Sequence, residues 1–242
     1  MENDLYGVGF FDLQLLFARR AAELSGRSFA EAVGLYTNIY VRLGMGQRFD
    51  TNNAEWQTYL ARLACVHEHE QAEWTHAFHR ARLHLPAGPA PTDAAGCFSY
   101  SDLGQNRVRL HFHAGRCESP LSMGSRDLRR SELATLFSRL KASTVEERYV
   151  VGASWLYNVD SYRRLFPERY LASLRAMEHP YQRMPLWGQF LDGSRAVRPQ
   201  AGAHFLATIA RASNLSELSR SFPLAVLTAT APARLFYDHL GL

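Results

Sequence analysis

Leu85-Pro86-Ala87-Gly88-Pro89-Ala90-Pro91-Thr92 divides this 242-residue chain into stretches of different periodicity. Its prolines fix φ and lack an N–H, so neither helix nor strand runs through it. Before it, apolar residues recur at steps of three and four; after it, apolar and polar residues alternate. The break predicts a helical part over 1–85, a connector over 86–92 and an α/β part over 93–242. The expected class is α+β or α/β, with the N-terminal helical part packed on a mixed sheet flanked by helices.

In the first part, Phe10, Leu13, Phe17, Ala21 and Leu24 mark a helix over 10–25 that stops at Gly26. Ser28-Phe29-Ala30-Glu31 is a capping box for a second helix that ends at Gly44. From Ala54 to Leu85 the stripe is one long helix, or two broken near Cys65. In the second part, strands are expected at 97–101 and 107–113 with a turn between them. A helix over 126–142, a strand over 149–157 and a helix capped by Asn158 or Asp160 follow, Pro167 opening that helix's second half. Further expectations are a strand at 184–191, a helix over 201–212 and a short helix capped at Asn214. A strand at 223–230 and a last helix begun by Pro232 and closed by Gly241 complete the pattern.

Composition removes several classes of protein. Hydrophobic residues make up 47% and aromatics 12%, too many for a chain that does not pack. No uncharged apolar run approaches the ~18–20 residues that span a bilayer, and the acidic start Met1-Glu2-Asn3-Asp4 is no secretory signal. Cys65, Cys97 and Cys117 are odd in number and widely spaced, which favours reduced thiols and a cytoplasmic location. Lys141 is the sole lysine beside 26 arginines, a ratio that reads as the codon bias of a GC-rich bacterial genome. Acidic residues exceed basic ones by two before residue 90, and basic exceed acidic by six after it, so the second part is where an anion would bind.

The most informative stretch is Arg107-Val108-Arg109-Leu110-His111-Phe112-His113. On a strand, Val108, Leu110 and Phe112 enter the core while Arg107, Arg109, His111 and His113 share the other face. Two arginines suit a phosphate or carboxylate. The two histidines alone fall short of the three or four ligands a metal needs, so no metal is assigned. The plain alternative is a solvated strand face. A second group, His67, His69, His76, His79 and His84, includes an E-x-x-H pair at Glu73 and His76, but no second pair completes a metal centre and a structural or exposed role is expected. His67 and Glu70 are expected to bond one another or to mark the helix break.

Gly152-Ala153-Ser154-Trp155-Leu156-Tyr157-Asn158, followed by Tyr162, Arg163 and Arg164, reads as a strand ending at a helix N-terminus, where α/β proteins bind ligands. Trp155 and Tyr157 would stack on a substrate and Asn158 orient it; the plain alternative is that the aromatics are core and Asn158 is an N-cap. Trp187 and Gln189 on one strand face would line the same pocket. Phosphate-binding loops, dinucleotide fingerprints, kinase motifs and CxxC patterns are absent, so no cofactor is named. Arg126, Arg129, Arg130, Arg139 and Lys141 alternate with Asp127 and Glu132, which suits a solvated helix face better than nucleic acid.

Near the C-terminus, Arg198-Pro199-Gln200-Ala201-Gly202-Ala203 and Ala233-Arg234-Leu235-Phe236-Tyr237-Asp238-His239-Leu240-Gly241-Leu242 resemble two signatures of the GNAT acyltransferases. The resemblance covers residues 198–242. It implies a loop for the acyl-CoA pyrophosphate at 198–203 and a general-acid tyrosine at Tyr237. Ala201 replaces a glycine of that loop, and the family's last strand has no counterpart.

Three readings follow. The leading one is an enzyme acting on a small anionic metabolite, with His111 and His113 as acid or base, Arg109 neutralising the anion, and Tyr157, Asn158 and Gln189 binding the rest. The second is a non-catalytic binding or assembly protein whose N-terminal helices meet another chain or a second copy. The third is a GNAT-like acyltransferase.

Overall fold

The computed structural model describes residues 6–46, 49–83, 91–113, 120–143, 146–177 and 185–242. His84, Cys117, the acidic start and most of the proline-rich connector lie outside them. Helices and a six-stranded mixed sheet make the protein α+β. Along the chain come helices α1 (Val8–Ser25), α2 (Phe29–Tyr36), α3 (Ile39–Arg42), α4 (Ala54–Leu63) and α5 (Gln71–Ala81). Then follow β1 (Asp93–Ala95), β2 (Phe98–Gly104), β3 (Arg107–Phe112), α6 (Arg126–Ala142) and β4 (Tyr149–Ser154). The last elements are α7 (Asp160–Arg163), α8 (Glu168–Leu171), β5 (Arg175–Ala176), α9 (Pro199–Arg211), α10 (Leu215–Ser219), β6 (Leu227–Pro232) and α11 (Arg234–Leu240).

The chain forms two compact units, the first passage between them falling within the expected connector and a later segment returning to the first unit. Met1–Pro89 and His179–Pro223 make unit 1; Ala90–Glu178 and Leu224–Leu242 make unit 2. The returning segment joins unit 1 through its aromatics. Trp187 is buried edge-on against Phe17 at 5.5 Å and Phe222 at 5.1 Å, and Phe205 stacks on Phe17 at 5.9 Å. The strand expected at 184–191 is therefore a 3₁₀ turn, Pro185–Phe190, within the described residues. Its aromatics serve a helical core rather than one face of a sheet.

In unit 1, α1 ends at Gly26, whose φ of 68° is the left-handed cap. The Ser28–Glu31 capping box opens α2. The expected single helix to Gly44 instead breaks after Tyr36, because Thr37 turns its hydroxyl back onto the Val33 carbonyl. The buried Gln14 side chain then accepts the Asn38 N–H at 2.9 Å. The stripe after Ala54 is two helices, α4 and α5, separated around Cys65.

In unit 2 the strand order is β1-β2-β3-β4-β6-β5. β3 and β4 are parallel, and the other neighbours are antiparallel. Gln105 and Asn106, at φ 51° and 56°, make the tight turn between β2 and β3. Phe98, Tyr100, Val108, Leu110 and Val150 point to one face and pack with α6 and α11 residues Leu133, Leu136, Phe137 and Phe236. The strand expected at 149–157 ends at Ser154, whose hydroxyl caps the 3₁₀ turn Trp155–Asn158.

Candidate functional site

The other face of the sheet carries the polar side chains. The register sets Ser99 opposite His111 and Ser101 opposite Arg109 on one side of β3. On the other side Val151 faces Arg109, and Thr230 faces Val151 in turn. Alternation along each strand puts these side chains on one surface. Because β3 and β4 are parallel, their C-terminal ends share an edge with the 3₁₀ turn after β4, the edge where open sheets tend to bind ligands.

His111 is the most perturbed group on this face. It is half-buried, and its Nε2 lies 3.1 Å from Ser101 Oγ. Burial first, then the neighbouring His113 and Arg109, push its pKa down to about 4. At neutral pH the ring is therefore uncharged and only weakly basic, one nitrogen bearing a lone pair and the other an N–H. His113 stacks on it with centroids 6.1 Å apart. The His113 backbone N–H donates to the Cys97 carbonyl at 2.8 Å and so continues the β2–β3 ladder. Arg109 is exposed and makes no ion pair or hydrogen bond among the described residues. Ser99 Oγ, across from His111, is shielded from solvent and has no hydrogen-bond partner among them.

Of the expected site residues, Arg109, His111 and His113 are brought together. Asn158 stands at the same sheet edge, but its Nδ2 donates to the Trp155 carbonyl at 2.7 Å and the Ala225 carbonyl at 2.8 Å. With its donors spent on the backbone it ties down the turn and does not cap α7. Tyr157 is core: its hydroxyl bonds that of Tyr170 at 2.7 Å, and it is 1% exposed. Gln189 belongs to unit 1, where it is buried and donates to the Leu186 carbonyl at 3.0 Å. Ser99 and Ser101 were not expected; the alternation Phe98-Ser99-Tyr100-Ser101 is the signal that carries them.

Within the histidine-rich segment His79 is a core residue, while His67 and His69 are exposed. His79 is buried, its Nδ1 is 2.8 Å from the Arg42 carbonyl and its ring packs on Phe11. His67 stacks on His69 at 5.9 Å and stands in the break between α4 and α5, where its carbonyl accepts the Glu70 N–H at 2.9 Å. No group of three metal-ligating side chains converges among the described residues. Arg129, expected on a solvated face, is buried at 2% exposure, paired with Glu132 at 2.8 Å and donating to Cys97 Sγ. The large apolar side chains exposed among the described residues (Leu103, Met123, Leu128, Tyr149 and Leu242) all belong to unit 2 and none to the N-terminal helices.

The residues behind the acyltransferase resemblance fall in both units. Arg198 and Gly202 belong to unit 1, and Tyr237 to unit 2. Arg198 precedes α9 and its guanidinium donates to the Gln189 carbonyl. A Cβ on Gly202 would stand 3.1 Å from Val197 and 3.9 Å from Leu13, so this glycine permits close packing. Tyr237 packs edge-on against Phe137 at 6.4 Å.

No helix among the described residues is long and apolar enough to cross a membrane. Comparison of the chain with known family models, with curated proteins and with solved structures finds no match.

Proposed function

We propose that the protein binds and acts on a small anionic metabolite at the polar sheet face of unit 2, in the cytoplasm. Arg109 supplies the charge and His111 the proton acceptor, with His113 beside them. The observation that carries this reading is an unpaired Arg109 next to a half-buried, uncharged imidazole already oriented by Ser101. Such a pair offers an anion both a fixed cation and a latent one. The free thiols of Cys65 and Cys97 suit a reducing compartment.

The reading predicts proton-linked binding. A bound anion offsets the Arg109 charge and adds its own, so it raises the His111 pKa from about 4. The complex then holds more protons than the free protein, and affinity strengthens as pH falls. Sulfate keeps its charge over this range and is the probe. Calorimetric titration is expected to give binding several-fold tighter at pH 5 than at pH 8. His111→Asn is expected to flatten that dependence, and Arg109→Gln to weaken binding about tenfold, the size of one charged hydrogen bond. Equal affinity at the two pH values, or full affinity in Arg109→Gln, contradicts the reading.

A further inference from the structure

We propose that a second face of unit 2, the depression lined by Asp160, Arg163, Arg164, Phe166, Glu168 and His239, binds a zwitterion of the α-amino-acid class. The arginines would hold its carboxylate, and Asp160 or Glu168 its ammonium.

The depression is shallow and open to solvent, with about 350 Å³ of space over its lining. Its lining carries two cations and two anions, yet none of the four forms an ion pair within 4.0 Å among the described residues. Asp160 and Arg164, four apart in sequence, have the spacing of a helical ion pair and do not form one. Arg164 turns instead to the Met123 sulfur at 3.2 Å. Burial first, then the adjacent Arg130 guanidinium, hold the His239 pKa below the ordinary value, which favours its uncharged form. The floor is apolar, with Phe166 buried and Leu171 half-buried. Separated charges of both signs over an apolar floor match a ligand that is neutral overall, carries both charges and has a hydrocarbon side chain. A simple anion would meet Asp160 and Glu168 as repulsion, and a simple amine would meet the two arginines.

The full chain is titrated with L-leucine, with isoamylamine (leucine without its carboxylate) and with 4-methylpentanoate (leucine without its ammonium), by NMR shift perturbation. Leucine is expected to bind, and each single-charge analogue to bind at least tenfold more weakly. Arg163→Gln/Arg164→Gln and Asp160→Asn/Glu168→Gln are each expected to remove leucine binding. All four side chains are exposed, so circular dichroism of the variants is expected to match the parent. No leucine binding at millimolar concentration overturns the proposal. So does an analogue that binds as well as leucine: equal binding of 4-methylpentanoate would make this an anion site only.

Discussion

Arg129→Met is expected to destabilise the protein by ~3–5 kcal/mol, the usual result of removing one partner from a buried ion pair. Glu132 is the reason. Its carboxylate is mostly buried, takes the Arg129 guanidinium on one oxygen at 2.8 Å and the Cys97 N–H on the other at 3.1 Å. Loss of the guanidinium leaves a desolvated charge held by a single N–H. The turn between β1 and β2 depends on that carboxylate. Gly96 sits there at φ 56°, and a Cβ on it would overlap Glu132, so turn and carboxylate fit only together. The double variant Arg129→Met/Glu132→Gln is expected to recover most of the loss, since a neutral amide still accepts the Cys97 N–H. Calorimetric unfolding checks both, at roughly 2–4 °C per kcal/mol for a chain of this size. A double variant no more stable than Arg129→Met would place the effect in packing rather than in the stranded charge.

Gly152→Ala is expected to cost ~2–5 kcal/mol although it adds one methyl group. Gly152 is buried in β4, and the chain after the strand folds back so that two tyrosines lie over it. A Cβ there would come within 1.9 Å of the Tyr157 hydroxyl and 2.2 Å of the Tyr170 hydroxyl. Those hydroxyls bond each other at 2.7 Å in the core, and burial pushes both pKa values up. The methyl group must therefore break a buried hydrogen bond as well as overpack the sheet. Tyr157→Phe removes one of the two oxygens, so Gly152→Ala is expected to cost less in that background. Equal cost in both backgrounds would show that the tyrosine pair is not what the methyl group meets.

Patterns within one element were legible in the sequence. Steps of three and four mark α1, capping residues mark the starts of α2 and α10, and the stripe after Ala54 allows the break near Cys65 as one of two options. Alternation put Arg109 and His111 on one face of β3. Relations between distant segments were not legible. Register between β2 and β3 shifts at a bulge between Asp102 and Gly104, so the pairing of Ser101 with Arg109 does not follow from the tight turn. Trp187 and Gln189 alternate as a buried strand would, but short apolar runs read alike in strands and in cores of other kinds. What decides between them is the aromatic cluster formed with Phe17, Phe205 and Phe222, from segments far apart in the chain. The burial of Arg129 was hidden for the same reason: its partner Glu132 is local, whereas the turn at Gly96 and Cys97 is not.

The anion-site reading rests on the state of one imidazole, and NMR observation of the His111 ring through an acid titration tests it most directly. The ring is expected to titrate near pH 4 in the free protein and to shift to higher pH in saturating sulfate. Arg109→Gln is expected to raise the free value slightly and to remove the response to sulfate. A His111 that titrates at the ordinary histidine value and ignores sulfate would contradict both the burial of the ring and the anion site built on it.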